Sequence, residues 1–400
     1  MKKADKISLS TMYFLSIGGL CCWLLVLSPL LKNYGYESYV AAFFALVALA
    51  TALSPILAGV LVDYKFAARS VISTLSLLTC IFVILNYWIL KNEWAVQWLF
   101  ISFFLSSFFS APILSLVGFL ALRTLKSDKS KIGNMFVWGT ISWIITGCLM
   151  SFVFKIENDA KAFLLCAIFY LLASIMAFKL PRDEKKGSSD LSLLDRLGGK
   201  GWSQLANPNV NGYLIALFCC SISLAAFFSY VPLQLTQMGL SNVAAKMTLA
   251  QVLEVVILLS FSKWLKMIKD WWLIFIGVTC VLLRYILFSL VNGESDLILM
   301  WVGVTLHGLS FCFFIVVGQI YIEKRVLPTI RAQSQALLTQ LSTGLSMFIG
   351  FFLCGWWYDK TVGQHGIEAW NEFWLLLIVP ILIGWLIFVL GYKKGHKADN

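Results

Sequence analysis

Glu254, Arg284 and His307 lie deep inside long apolar runs, and Gln251 precedes Glu254 by one helical turn. Ionised side chains are costly in an apolar medium, so those that persist there are candidates for work. A carboxylate in such a place can take up and release a proton. An amide three residues before it projects from the same helix face and can hydrogen-bond a polar ligand. That combination suits a proton-coupled carrier. His307 can share the proton or hold the ligand, and it is equally readable as a histidine satisfied between helices. Arg284 reads as a structural or gating partner, and a Glu254–Arg284 pair would pin two helices together. Gln319, Gln335 and Gln340 are further amides in apolar segments, where amides more often join helices than bind ligands.

The elements that must carry these groups follow from composition. Of 400 residues, 60% are hydrophobic and 13% charged, with a mean hydropathy of +0.84. A water-soluble globule has about a quarter of its residues charged, so this chain is an integral membrane protein. Its apolar runs are continuous rather than alternating, which selects helices over a barrel. At about 20 residues per crossing, the chain holds about twelve spans. Hydropathy places them at 9–31, 38–62, 70–90, 95–122, 134–154, 162–180, 209–235, 243–265, 271–291, 297–322, 333–354 and 373–392. A soluble enzyme, a DNA-binding module and a single-pass receptor are excluded. The N-terminal Lys2, Lys3 and Lys6 precede an apolar run too long for a signal-peptide core, which reads as a retained first span.

The chain divides into an N-terminal six-helix half (1–180), a polar linker (181–208) and a C-terminal six-helix half (209–400). Within the linker, 191–197 reads as a short interfacial helix. With both termini in the cytoplasm, 24 of the 31 Lys and Arg fall on the cytoplasmic side and 6 on the other, with Arg284 inside a span. This is the positive-inside pattern of a membrane protein with many passes and fixes both termini in the cytoplasm. The net charge of +11 is explained by topology and anionic lipid, without nucleic acid. Two six-helix halves joined by a cytoplasmic linker are the plan of a rocking secondary transporter. No filter or charged ring marks a channel, and no phosphate-binding loop marks a pump. The ten cysteines all lie in apolar segments, with no metal-ligand spacing, and read as packing residues.

The stretch Gly59-Val-Leu-Val-Asp63-Tyr-Lys65-Phe-Ala-Ala-Arg69 links spans two and three. A glycine there would permit close helix approach, and Asp63 with the following cations, Arg69 among them, would latch the cytoplasmic face. The stretch resembles the loop motif of the major facilitator superfamily, with alanine at a usual glycine. Further strings resemble the nucleoside:proton symporter family of that superfamily across most of the chain. They are Phe14-Leu15 through Trp23, Ser54-Pro55 through Asp63, Trp138-Gly139-Thr140, Gln251-x-x-Glu254, Leu283-Arg284, Phe311-x-Phe313-Phe314, Glu323 through Ala332, and Gly366-Ile367.

The resemblance implies an all-α membrane protein with the twelve-helix major facilitator fold. It further implies a non-enzymatic carrier that takes up nucleosides with protons by alternating access, as a monomer in lipid and without a cofactor or metal. It implies that Thr140 and Trp143 face the substrate from the N-terminal half. Gln251 and Glu254 would hydrogen-bond it from the C-terminal half, and Phe311 would stack on the base. The proton then falls to Glu254 or His307. Phe136 stands where the family has an arginine, Cys312 where it has an aspartate and Gly118 where it has an asparagine. Polar span-seven positions are replaced near Ser223 and Ala226. These departures leave open a different cargo, such as a sugar, amino sugar or cell-wall fragment.

Overall fold

A computed structural model of the chain describes residues 3–64, 66–125, 133–181, 202–203, 207–326, 334 and 337–395. The expected interfacial helix at 191–197, Gln335 and the end of the Glu323–Ala332 string lie outside these residues, as does the side chain of Asp63. Every regular element among the described residues is helical, the arrangement that satisfies backbone groups where no water is available.

The helices of the first half of the chain are α1 (Lys3–Leu24), α2 (Leu27–Asn33), α3 (Val40–Tyr64), α4 (Ala68–Lys91), α5 (Val96–Leu125), α6 (Gly133–Cys148) and α7 (Lys161–Ala177). The second half has α8 (Pro208–Gln237), α9 (Val243–Met247), α10 (Leu249–Leu259), α11 (Phe261–Met267), α12 (Asp270–Ser289), α13 (Leu297–Ser310), α14 (Val317–Arg325), α15 (Ser346–Lys360), α16 (Val362–His365) and α17 (Trp370–Gly395). The expected spans fall on helices over most of their described lengths, with turns or bends at places such as 25–26 and 178–180. Among the described residues, ten helical runs are long and apolar enough to cross a membrane alone. The eighth expected span is a pair of runs, Val243–Leu259 and Phe261–Met267, bent by 64°. The sixth, α7, has 17 residues and is about 25 Å long, short of the ~30 Å hydrocarbon core.

The chain forms two compact units. Unit 1 is Met1–Asp190 with Leu240–Thr248, and unit 2 is Leu191–Gly239 with Leu249–Asn400. In unit 1, α1 packs against α6 and α7. Gly18 and Gly19 make the approach possible, because a Cβ at either would stand 2.5 Å from the ring of Phe169 or 2.7 Å from that of Tyr170. Polar groups then bridge the helices. The Cys166 thiol donates to the Gly19 carbonyl at 3.1 Å, and the Ser142 hydroxyl donates to the Phe14 carbonyl at 2.6 Å. Ser73 on α4 and Ser174 on α7 are linked by hydroxyl-to-carbonyl bonds of 3.0 Å in both directions. Small residues and hydroxyls at such contacts are the means by which helices associate in lipid.

Unit 1 also holds α9 at a polar junction. After α6 the chain makes a π-helical turn, Leu149–Val153. It carries Ser151, whose hydroxyl donates to Glu157 Oε2 at 2.7 Å and accepts from the Ala245 amide at 2.9 Å. The same carboxylate oxygen accepts from the Ala244 amide at 3.1 Å. First-turn amides have no partner within their own helix, and a carboxylate is the favoured acceptor for them.

In unit 2, α8 lies against α15 and α17, while α12 contacts α13 and α17, and α10 contacts α13. Trp370 and Trp374 are core residues, 1% and 0% exposed, because each indole N–H finds an amide oxygen. Trp374 donates to Gln234 Oε1 and Trp370 to Gln237 Oε1, both at 2.9 Å. The Ser223 hydroxyl donates to the Leu377 carbonyl at 2.6 Å, and the Tyr285 hydroxyl donates to the Ser223 carbonyl. The α10–α13 contact turns on Gly308, where an added Cβ would sit 2.6 Å from the Glu254 amide nitrogen and 2.7 Å from the Ala250 carbonyl oxygen. Both are backbone atoms and cannot step aside.

Glu157→Ala removes the acceptor shared by Ser151 and Ala244 and should cost about 1–3 kcal/mol locally. Hydrogen exchange should show faster amides over 243–248, with Glu157→Gln affected less; an unchanged pattern in the alanine variant would refute the junction. Gly308→Ala should destabilise unit 2 by about 1–3 kcal/mol or more through overpacking. A lowered thermal midpoint of the purified protein is the expected readout, and an unshifted midpoint would show that α10 and α13 can separate freely.

Candidate functional site

The inward face of α10 is Ala250, Gln251, Glu254, Ile257 and Leu258, at helical spacing. Val252, Val256 and Leu259 point outward at 49%, 58% and 67% exposure. Gln251 and Glu254 are therefore presented together and buried, as their spacing predicts. The Gln251 Oε1 atom has no hydrogen-bond partner among the described residues. Just beyond α13, the Cys312 thiol lies 3.8 Å from the Glu254 carbonyl oxygen of α10.

A second cluster stands beside this face. Arg284 on α12 is 1% exposed, and its Nη1 lies 2.8 Å from Nδ1 of the buried His307 on α13. A guanidinium can only donate, so Nδ1 must accept, and the ring proton sits on Nε2. His307 in this arrangement is a neutral imidazole. Phe227 of α8 stacks on it, with ring centroids 4.6 Å apart and planes 5° apart, and Phe228 meets it edge-on at 5.4 Å. Arg284 lies over the same Phe227 ring at 4.6 Å and over Tyr285 at 5.4 Å, both within cation–π range.

Phe311 extends the stack, 6.3 Å from His307 and 22° off parallel. It opens a π-helical turn, Phe311–Val316, of the kind often found at functional positions. Between these groups is a cavity of about 30 Å³, bordered by Cys220, Ser221, Arg284, His307, Ser310 and Phe311 among others.

The buried partner of Arg284 is thus His307, and the pairing of Glu254 with Arg284 expected as a helix pin is not formed. The cause is helical geometry. Consecutive residues turn by about 100°, so α13 directs His307 toward α12 while Gly308 meets α10. Phe227 and Phe228 were not apparent as site residues, because a stacking partner on another helix has no spacing signature.

In unit 1, Thr140 and Trp143 lie one turn apart on α6, both 7% exposed, and the Trp143 carbonyl accepts from the Cys21 thiol at 3.4 Å. Phe136, at the position expected to carry an arginine, meets Tyr13 edge-on at 5.2 Å. Gly118, where an asparagine was expected, leaves room for the same tyrosine, whose hydroxyl lies 3.3 Å from the place of a Cβ. Both substitutions therefore border Tyr13. Asp63 is the penultimate residue of α3, and Arg69 is partly exposed in the first turn of α4. Among the described residues, nothing lies within 4 Å of a Cβ placed on Gly59. Unit 1 also has a polar recess of about 460 Å³ bordered by Ser151, Lys155, Glu157, Asn158, Asp159 and Asn242. No ring borders it, and the sequence did not mark it.

Comparison with known proteins places this geometry. The nucleoside permease NupG of Escherichia coli (strain K12) is 20% identical over 373 residues, covering 89% of this chain and 88% of that protein. YegT of the same strain, whose name assigns it provisionally to nucleoside transport, is 26% identical over 376 residues, covering 89% of this chain and 85% of YegT. A crystal structure of a NupG mutant superposes with a TM-score of 0.85 at 19% identity, over 97% of this chain and 99% of that one, which identifies the major facilitator fold. These relatives are named as transporters and permeases, and the chain is a membrane transporter, not an enzyme. The model of the MFS_1 like family matches residues 6–366, and the chain belongs to that family.

Proposed function

We propose that the chain is a proton-coupled nucleoside carrier of the bacterial inner membrane, working by alternating access with both termini in the cytoplasm. The observation that carries this reading is the buried Gln251 Oε1, which has no partner among the described residues and lies one turn from the buried Glu254. Leaving a buried amide oxygen unmatched costs about 1–3 kcal/mol, a cost removed when a bound hydroxyl or ring N–H donates to it. Nucleosides supply such donors on the ribose and base, and a flat ring suited to aromatic faces. Relatives named for nucleoside transport support the cargo class.

Thr140 and Trp143 in unit 1, with Gln251, Glu254 and Phe311 in unit 2, are the residues assigned to cargo. Glu254 takes the proton, and His307 orients Arg284. The chain acts as a monomer in lipid, and the proton gradient is its energy source. Tyr13 packed by Phe136 and Gly118 favours a second reading, in which the same carrier moves another polar small molecule, such as a sugar or amino sugar.

Uptake of labelled uridine, adenosine, xanthosine and a sugar panel into proteoliposomes under an imposed proton gradient separates the readings. Nucleoside accumulation is expected; sugars alone accumulating would replace the cargo, and no accumulation of any compound would remove the carrier assignment. Glu254→Gln should abolish accumulation above equilibrium while retaining counterflow exchange, and normal accumulation would free Glu254 of the coupling role. His307→Gln keeps an acceptor for Arg284 and should retain most coupled uptake. Loss of coupling in that variant, with exchange intact, would move the proton to α13.

A further inference from the structure

Arg284 is a permanent cation in the interior of unit 2, 1% exposed. Among the described residues its contacts are the neutral His307 at 2.8 Å and the faces of Phe227 and Tyr285. None carries a negative charge. Its Nε has no hydrogen-bond partner there either, although a guanidinium has five N–H groups to place. The ion pairs of the described residues, Lys161 with Asp159 and Lys324 with Asp270, lie elsewhere. A buried charge without a counter-charge is among the least favourable arrangements in a protein interior.

Arg284 also borders the cavity of about 30 Å³, together with His307, Ser310 and Phe311. That volume holds one or two water-sized groups. We propose that the cavity is an anion site, in which a small singly charged group acts as counter-ion to Arg284. The charge has two possible sources, a free halide or carboxylate ion, and an ionised atom on the transported molecule. Only the second depends on the carrier assignment above. The site is small enough to favour a halide or one anionic oxygen over a tetrahedral phosphate. Arg284 supplies the charge, the Phe227 face fixes the guanidinium plane, and Nδ1 of His307 holds one end so that the remaining donors keep their direction.

The test uses the full-length protein in detergent in potassium gluconate, with chloride, bromide or formate added at constant ionic strength, and thermal unfolding followed by intrinsic fluorescence. A saturable rise in the midpoint with a halide or formate is expected, and it identifies a free-ion site. Stabilisation by xanthosine above the pH at which its base ionises, with neutral adenosine and the free ions inert, assigns the charge to the cargo. Either shift must vanish in Arg284→Gln. Leu224→Phe fills the cavity from its wall while leaving Arg284 and His307 in place, so it decides the matter if Arg284→Gln fails to fold; it too should lose the shift. No saturable shift with any anion, or a shift that survives Leu224→Phe or a folded Arg284→Gln, overturns the proposal whatever the transport assays show.

Discussion

Hydrocarbon offers no hydrogen bond to a polar group, and this lack governs the structure at every level. It makes every described regular element helical, because only a helix satisfies its own backbone within one segment. It also sets how the helices meet. Ser73 and Ser174 are bonded to each other's carbonyls, Ser142 reaches the carbonyl of Phe14, and Ser223 reaches that of Leu377. Trp370 and Trp374 enter the core because glutamine oxygens wait for them. With so many polar groups matched, those left unmatched carry information. Several are serine hydroxyls, which are cheap to leave and easily turned. Gln251 Oε1 and Arg284 Nε are not of that kind, since an amide oxygen and a cationic donor lose more by going without.

Helix α13 divides the interior of unit 2. Gly308 seats α10 so closely that the face bearing Gln251 and Glu254 is fixed in rotation. One residue earlier, His307 leaves the same helix toward Arg284 and Phe227. The chain then widens into the π-helical turn at Phe311, where backbone carbonyls are less well matched within the helix. Tyr213 supplies one missing partner by donating to the Phe314 carbonyl at 3.0 Å. The helices bearing an amide–carboxylate face and a cation–aromatic cluster thus meet neighbouring faces of one helix, about 100° apart.

The sequence carries the spans well because continuous apolar runs are a property of single segments. For the same reason it locates Gln251 and Glu254, whose relation is a spacing on one helix. It does poorly wherever the relation crosses helices. Arg284 and Glu254 look like natural partners in a string of residues, yet the rotation of α13 gives Arg284 to His307. Phe227 is one aromatic among 31 phenylalanines until the fold stacks it on that imidazole. Gly308, unmarked in the sequence, makes a tight contact, whereas among the described residues nothing lies within 4 Å of a Cβ placed on Gly59. The 64° bend at Ser260 and the π-helical turns leave no clear trace in hydropathy either.

The arrangement bears on where a proton would rest. To be protonated as it stands, His307 would have to turn two donors toward each other and place a second positive charge beside the guanidinium. At 4 Å and an effective dielectric of 20, like charges repel by about 4 kcal/mol, and the lost hydrogen bond adds to that. An anion in the neighbouring cavity would offset part of the repulsion but would itself be drawn to Arg284 first. Glu254 is carried instead by α10, which packs against α13 at Gly308. Under the proposed function the cation and the carboxylate therefore have different tasks, the first holding negative charge and the second exchanging a proton, and α13 meets the helix of each, α12 through His307 and α10 through Gly308.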